Sequence, residues 1–394
     1  MNILITSIID VEWTPNSRLH QFIKHLSYNH SIYLIEINDS WKSKNIKANI
    51  KNTDFNKYLD NITIFKFTEK DIPPVKQELF SWRLLSKIQK DIPFKDIDVH
   101  LNYNSLLSGR YIAKKIEKYG INTVYDIADN LPEMISKTSQ SSIIAAKAGW
   151  FIGKVMIKKN IKQAKYVTFI TPSLKKNVSI PDEKAVFIPN GVDTSLFKKM
   201  KLNQNIINSY DLKDNFVLGF VGALREWVDF KPVFQAIKKL NEQSYNVKLL
   251  IVGEEDKIND IKSLTYKYKV NDDVVFTGAI PYHNLPMYMN CMDACLIPFS
   301  KDLIGQDSLP LKLFEYMACE KPVISTSLDG VYQAVGNRTI YASNSDQYIE
   351  KIRFLHDSPD EKDKLGKIGR KFTLDNFSWD NIMKDFEKTL EAAA

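Results

Sequence analysis

In the stretch Asp307–Thr326, DSLPLKLFEYMACEKPVIST, an ammonium and a carboxylate, Lys312 and Glu315, stand three positions apart. That spacing puts both on one face of a helix, while Leu311, Phe314 and Ala318 supply an apolar face. Ser308 can cap the helix and Pro310 is tolerated in a first turn, so the helix is expected to begin near Leu309. First-turn N–H groups carry partial positive charge and Lys312 adds a full one. Together they make a seat for a diphosphate. Glu315 can accept hydrogen bonds from vicinal ribose hydroxyls, as acidic residues do in dinucleotide folds. The same two residues also read as a solvated pair on an ordinary amphipathic helix.

The surrounding elements must place this face. Lys321–Pro322 stops the helix and the β-branched run after it reads as a short buried strand. Upstream, FVLGFVGAL, VKLLIVGEE and DVVFTGAI are strands that run into Gly222, Gly253 and Gly278. Glycine there lets backbone approach a ligand closely, or simply makes a tight turn. The chain opens as strand, helix, strand (NILITS, a helix carrying Leu19, Phe22, Ile23 and Leu26, then SIYLIEI) without a GxGxxG fingerprint. The loop from Asp10 to Arg18, with Trp13 in it, follows the first strand at the ligand-binding end of the sheet, so Trp13 and Arg18 are candidates to face a cleft; Arg18 reads equally as a solvated helix-start residue. The strand TVYDI ends near Asp129, which puts Asp126 and Asp129 at the ligand end of the sheet. Either can serve as a general base or cap the next helix. Asp96–Ile97–Asp98 has the form of a metal-binding DxD but precedes its strand, away from the expected cleft, so no metal site is assigned.

At 394 residues, with 44% apolar and 26% charged side chains, the chain has length for about two globular domains. The net charge is +7, and lysines from Lys147 to Lys176 arrive without an acidic residue among them. Anionic partners follow, such as sugar nucleotides or lipid head groups. Across residues 143–165, Trp150, Phe151, Ile152, Val155 and Met156 alternate with lysines, which fits a basic helix lying on an anionic membrane or a surface helix with its aromatics in the core. Nucleic acid is not expected, since no reader helix or RNA-binding aromatic motif is present. Three cysteines without a CxxC pair, no signal peptide and no apolar run long enough to span a bilayer point to a cytoplasmic protein, peripheral on the inner face of the membrane if the basic segment binds there. The polar stretch 198–215 reads as a linker. Ala392–Ala394 is set aside as an expression scar.

PNGVD, FVGAL, LLIVGEE, VVFTGAIPYHNLPMYM and PLKLFEYMACEKPVIST occur in the order found in glycosyltransferase family four and its relatives, so the chain resembles that group over residues 187–330. The resemblance implies the α/β GT-B architecture: two Rossmann-like doubly wound domains facing across a cleft, here 1–205 on the acceptor side and 206–374 on the donor side, with 375–394 returning as a helix to the first. By it, Glu315 is the ribose-binding second member of a glutamate pair whose first falls at Asp307. Gly222 matches the phosphate-loop glycine, but the customary Arg and Lys fall at Ala223 and Val228. LKLFEY is similar to the teichuronic-acid and xanthan glucuronosyltransferase branches, where a lysine at the Lys312 position holds the diphosphate; Arg225 is a second candidate. In the latter branch the motif resembling VYDIADN carries a catalytic aspartate, here Asp129. The implied donor, a UDP or GDP sugar, has its base near Gly278, Ala279 and Ile280, and Gly253, Ser308 and Leu309 are further donor-binding candidates. Its acceptor is a glycan or a lipid-linked glycan, in cell-surface polysaccharide or glycoconjugate synthesis, with no cofactor. A sugar-nucleotide epimerase of the same architecture and a non-catalytic nucleotide-binding subunit are the alternatives.

Overall fold

A computed structural model of the chain describes residues 1–394 except 15, 40–54, 56–57, 59–60, 71, 139–142 and 254–257. It forms two compact units, Met1–Pro189 with Asp380–Ala394, and Asn190–Trp379. The division falls at Pro189 instead of residue 205, and the stretch read as a linker belongs to the second unit. Asn203 caps a helix there by accepting the N–H groups of Asn205 and Ile206. Val192 is tied by backbone hydrogen bonds to Phe377 and Trp379. Polar composition marks a linker only when the backbone has no other partner; here capping supplies one.

The first unit holds a seven-stranded sheet of β1 (Asn2–Ser7), β2 (Ser31–Glu36), β3 (Ile62–Lys66), β4 (Val99–Tyr103), β5 (Asn122–Ile127), β6 (Tyr166–Phe169) and β7 (Ala185–Phe187), in the order β3-β2-β1-β4-β5-β6-β7. All neighbouring pairs are parallel. Helices cover both faces of such sheets, which is why Ile3, Leu4 and Ile5 are consecutive and all fully buried. On one face Leu4, Ile35, Phe67, Leu85, Ile112 and Ile116 form a continuous core. The last helix, Trp379–Glu391, stacks Phe386 on Phe22 with ring centroids 4.1 Å apart. Its end is no idle tail: Ala393 is buried and its carbonyl accepts the Asn122 side-chain amide at 2.9 Å.

The second unit repeats the plan with β8 (Phe216–Val221), β9 (Val247–Val252), β10 (Val274–Gly278), β11 (Ala294–Ile297), β12 (Val323–Ser325) and β13 (Ile340–Tyr341), in the order β10-β9-β8-β11-β12-β13. In both sheets the chain builds outward one way, then crosses back and builds the other way. Strand order therefore reverses between β1 and β4 and between β8 and β11, and ligands of doubly wound sheets bind beyond the strand C-termini at such switch points. The DxD segment lies at the opposite end, where the Asp98 carboxylate accepts the Asn2 N–H at 2.7 Å.

Candidate active site

The helix bearing Lys312 and Glu315 spans Leu311–Ala318 and starts later than expected. Ser308 does not cap it. Its hydroxyl turns back to the Ile304 carbonyl at 2.6 Å, closing a short helix, Leu303–Asp307, that Asp302 caps by accepting the Gly305 N–H at 3.1 Å. Pro310 stands at the cap position of the longer helix with no side-chain cap bond; its fixed φ, already near the helical value, sets the entry. The approach is held by Asn190, whose side-chain amide donates to the Leu309 carbonyl at 2.6 Å.

Directly after β8, Gly222 has φ +121°, and a Cβ on it would come 2.8 Å from the Lys312 ammonium. That ammonium lies 3.9 Å from the centre of the Phe220 ring and 5.6 Å from that of Phe299, an arrangement that attracts a cation to the ring faces. Gly253 has φ +142°, and a Cβ there would sit 2.3 Å from the Gly222 carbonyl oxygen. Only glycine fits. The three strand ends are laced together, Gly222 N–H to the Val252 carbonyl at 2.8 Å and Gly253 N–H to the Gly278 carbonyl at 3.0 Å. The buried Tyr316 phenol accepts the Val221 N–H at 2.7 Å, so the lysine helix itself fixes the turn into Gly222. The loop carrying Arg225, which is exposed, is pinned on its far side by the Asp229 N–H on the Pro298 carbonyl and the Ser300 N–H on the Trp227 carbonyl, both at 2.7 Å. It therefore spans the switch between β8 and β11.

Glu315 is only 6% exposed, which rules out the solvated-pair reading for this carboxylate. Tyr282, just beyond Ala279 and Ile280, donates its hydroxyl to Glu315 Oε1 at 2.9 Å. Burial pushes the Glu315 carboxyl up to about 7, against the lowering effect of the Tyr282 hydrogen bond and the Lys312 charge. Asp307 closes the short helix and is 2% exposed. The second unit thus brings Gly222, Gly253, Gly278, Lys312 and Glu315 to one end of its sheet. Tyr282, which holds Glu315, and Tyr316, which holds Val221 just before Gly222, went unnoticed in the sequence, and only their aromatic type beside the motifs signalled them. Glu254 and Glu255 of the VGEE motif lie outside the described residues.

The model of the family described as glycosyl transferases group 1 matches residues 203–372. TuaH of Bacillus subtilis, named for teichuronic acid biosynthesis, is 28% identical over 41% of this chain and 38% of its own length. CapM of Staphylococcus aureus, a capsular polysaccharide biosynthesis glycosyltransferase, is 28% identical over 50% of this chain and 52% of its own. The aligned part of this chain thus spans about half, or less, of those two relatives. Among solved structures, sucrose-phosphate synthase of Thermosynechococcus elongatus superposes with a TM-score of 0.75 at 17% identity, each chain covered in full. HepE of Anabaena, in complex with UDP, does so with 0.74 at 15% identity, again with both chains fully covered. The fold is GT-B, with two Rossmann-like doubly wound domains.

In the first unit, two expected acceptor-side residues prove to be interior. Arg18 and Asp126 are 3% and 0% exposed and form a two-pronged ion pair, Nη2 to Oδ1 at 2.9 Å and Nε to Oδ2 at 3.1 Å. The guanidinium also donates to the Ile188 and Pro189 carbonyls at 2.7 and 2.8 Å, and Thr168 donates to Asp126 Oδ1 at 2.6 Å. Such a pair braces the chain after β7 and has no surface for an acceptor. Asp129, by contrast, is exposed at the C-terminal end of β5, where it accepts the Asn104 side-chain amide at 3.2 Å.

Trp13 is half-buried in the loop after β1. That loop rests on a network the sequence did not advertise. Lys66 Nζ lies 2.8 Å from both Asp10 Oδ2 and Glu36 Oε1, two fully buried carboxylates. Glu36 Oε2 accepts the Val11 N–H at 2.9 Å. Burial pushes the Glu36 carboxyl up, and the Lys66 charge works against that rise. His20, held near pKa 4 by burial, is neutral at pH 7, so Nε2 donates to the Val11 carbonyl at 2.9 Å while Nδ1 accepts the Ser17 N–H at 3.1 Å. Among the described residues, no three His, Cys, Asp or Glu side chains cluster as metal ligands would.

Proposed function

We propose that the chain is a glycosyltransferase that moves a sugar from a nucleoside diphosphate sugar to a glycan or lipid-linked acceptor in cell-surface polysaccharide or glycoconjugate synthesis. The observation that carries this reading is the Lys312 ammonium held against Gly222 on the helix that also bears the buried Glu315. In this reading Glu315 accepts the ribose hydroxyls and Gly278–Ile280 meets the base. Lys312, with the N-terminus of its helix, which no side chain caps, and Arg225 from the loop after β8, holds the diphosphate, and Asp307, Ser308 and Leu309 line the donor sugar's side. Support for a uridine donor comes from HepE, which shares the fold and was solved with UDP-glucose as well as UDP.

As the bond between the anomeric carbon and the diphosphate oxygen breaks, its electron pair passes to the leaving diphosphate. Positive groups fixed in advance stabilise that growing charge more in the transition state than in the ground state, with no metal required. The acceptor oxygen bonds the anomeric carbon, and Asp129 takes its proton as general base.

The test is turnover with UDP and GDP sugars against a panel of glycan and lipid-linked acceptors. Lys312→Ala is expected to lose roughly 100- to 1,000-fold in kcat, the cost of removing one charge-stabilising donor, and Asp129→Asn to lose acceptor-dependent turnover while donor binding stays. Near-normal turnover in Lys312→Ala would discard the assignment. Conversion of donor without acceptor would support an epimerase, and donor binding without any turnover a non-catalytic subunit.

A further inference from the structure

Two exposed apolar patches in the first unit play no part in the transfer chemistry. One lies on the helix Ile143–Gln163, where Ile143, Ile144, Phe151 and Ile152 stand in solvent, Ile144 81% and Phe151 64% exposed. Lys147, Lys154, Lys158, Lys159 and Lys162 share that helix, which contains no acidic residue. The other lies on the short helices Pro74–Leu79 and Ser81–Ile88, where Val75 is 71% and Trp82 60% exposed, with Leu79 and Phe80 beside them. Lys76, Arg83 and Lys87 accompany it, and all three are exposed.

Two buried or half-buried side chains tie the helices that carry these patches to the same loop. Glu78 Oε1 accepts the N–H groups of Leu106, Leu107 and Ser108 at 3.0, 2.6 and 3.2 Å. Asn160 Nδ2 donates to the carbonyls of Ser105 and Leu106 at 3.1 and 3.0 Å. The helices bearing the patches therefore both pack against residues 105–108, at the C-terminal end of β4, which is the ligand end of this sheet.

We propose that these two patches form one docking surface for an anionic phospholipid bilayer. Charge complementarity decides for lipid. Interfaces between proteins are depleted in lysine, whereas a membrane surface favours Phe, Trp and Ile entering the acyl boundary while lysines extend to the phosphates around them. Contact is along the surface, since among the described residues no helix is long and apolar enough to cross a membrane. The docking stands apart from the transferase reading. If that reading holds as well, the surface brings the acceptor end of the first unit to where a lipid-linked glycan emerges.

Flotation of the whole chain with vesicles tests the proposal. Wild type is expected to float with an equal mixture of phosphatidylglycerol and phosphatidylcholine and not with phosphatidylcholine alone. Ile144→Asp with Phe151→Asp, Lys158→Glu with Lys162→Glu, and Val75→Ser with Trp82→Ser should each weaken partitioning by about tenfold or more. Unchanged melting temperatures would confirm that these exposed positions do not support the fold. Wild type remaining unbound to the anionic vesicles, or any of the three pairs floating like wild type, would overturn the single surface proposed here. Because flotation reads no sugar transfer, it fails or succeeds independently of the catalytic assays.

Discussion

Ionisation of Glu315 should couple nucleotide binding to pH. The Glu315 carboxyl is raised from 4.5 to about 7, so holding it ionised costs about 3 kcal/mol relative to an exposed glutamate. A raised carboxyl means that the folded chain keeps the proton. Its contribution to stability is full below about 4.5 and is given up as pH rises to about 7, with no further loss above. Ribose hydroxyls donating to the carboxylate favour the charged form, so binding must expel the proton wherever the free protein holds it. One pH unit below the raised value, that expulsion weakens affinity by roughly tenfold. Titration calorimetry of UDP at pH 6 and pH 8, in two buffers of different ionisation enthalpy, reads both the affinity and the proton released. Glu315→Gln removes this proton and leaves only the ionisation of the nucleotide's own phosphates. Identical pH slopes and identical proton release in wild type and Glu315→Gln would refute the reasoning.

Gly253→Ala should destabilise the second unit by about 3 kcal/mol or more, because the new Cβ would press on the Gly222 carbonyl at a φ that L-residues avoid; thermal unfolding reads it, and an unchanged midpoint would contradict the close approach. Asp126→Asn should cost about 3–5 kcal/mol by leaving the Arg18 charge buried without its partner. If the variant folds as stably as wild type yet loses only acceptor-dependent turnover, Asp126 is catalytic after all and the bracing role is wrong.

The sheet layers were legible because strands buried on both faces write themselves as apolar runs, and the Lys312–Glu315 face because helical spacing is fixed by geometry. The helix start was misjudged because Ser308 had another partner. A five-residue helix capped by Asp302 leaves too faint a pattern to read in advance, yet it took the hydroxyl. Arg18 and Asp126 lie 108 positions apart, and nothing local shows that two exposed-looking charges at strand and helix ends will meet in the interior. For the same reason the sequence supplied Glu315 but not its burial, which depends on Tyr282 from another loop. The linker was misplaced because its capping residue looked like ordinary polar filler.

The central claim is that Lys312 grips the diphosphate of a nucleotide against Gly222, and calorimetric titration of wild type and Lys312→Ala with UDP and with uridine tests it most directly. The account predicts that wild type binds UDP, that the variant binds it roughly 10- to 100-fold more weakly, as loss of a charged hydrogen bond implies, and that uridine binds both alike. Equal UDP affinity in the two proteins, or no heat from any nucleoside diphosphate, would contradict it.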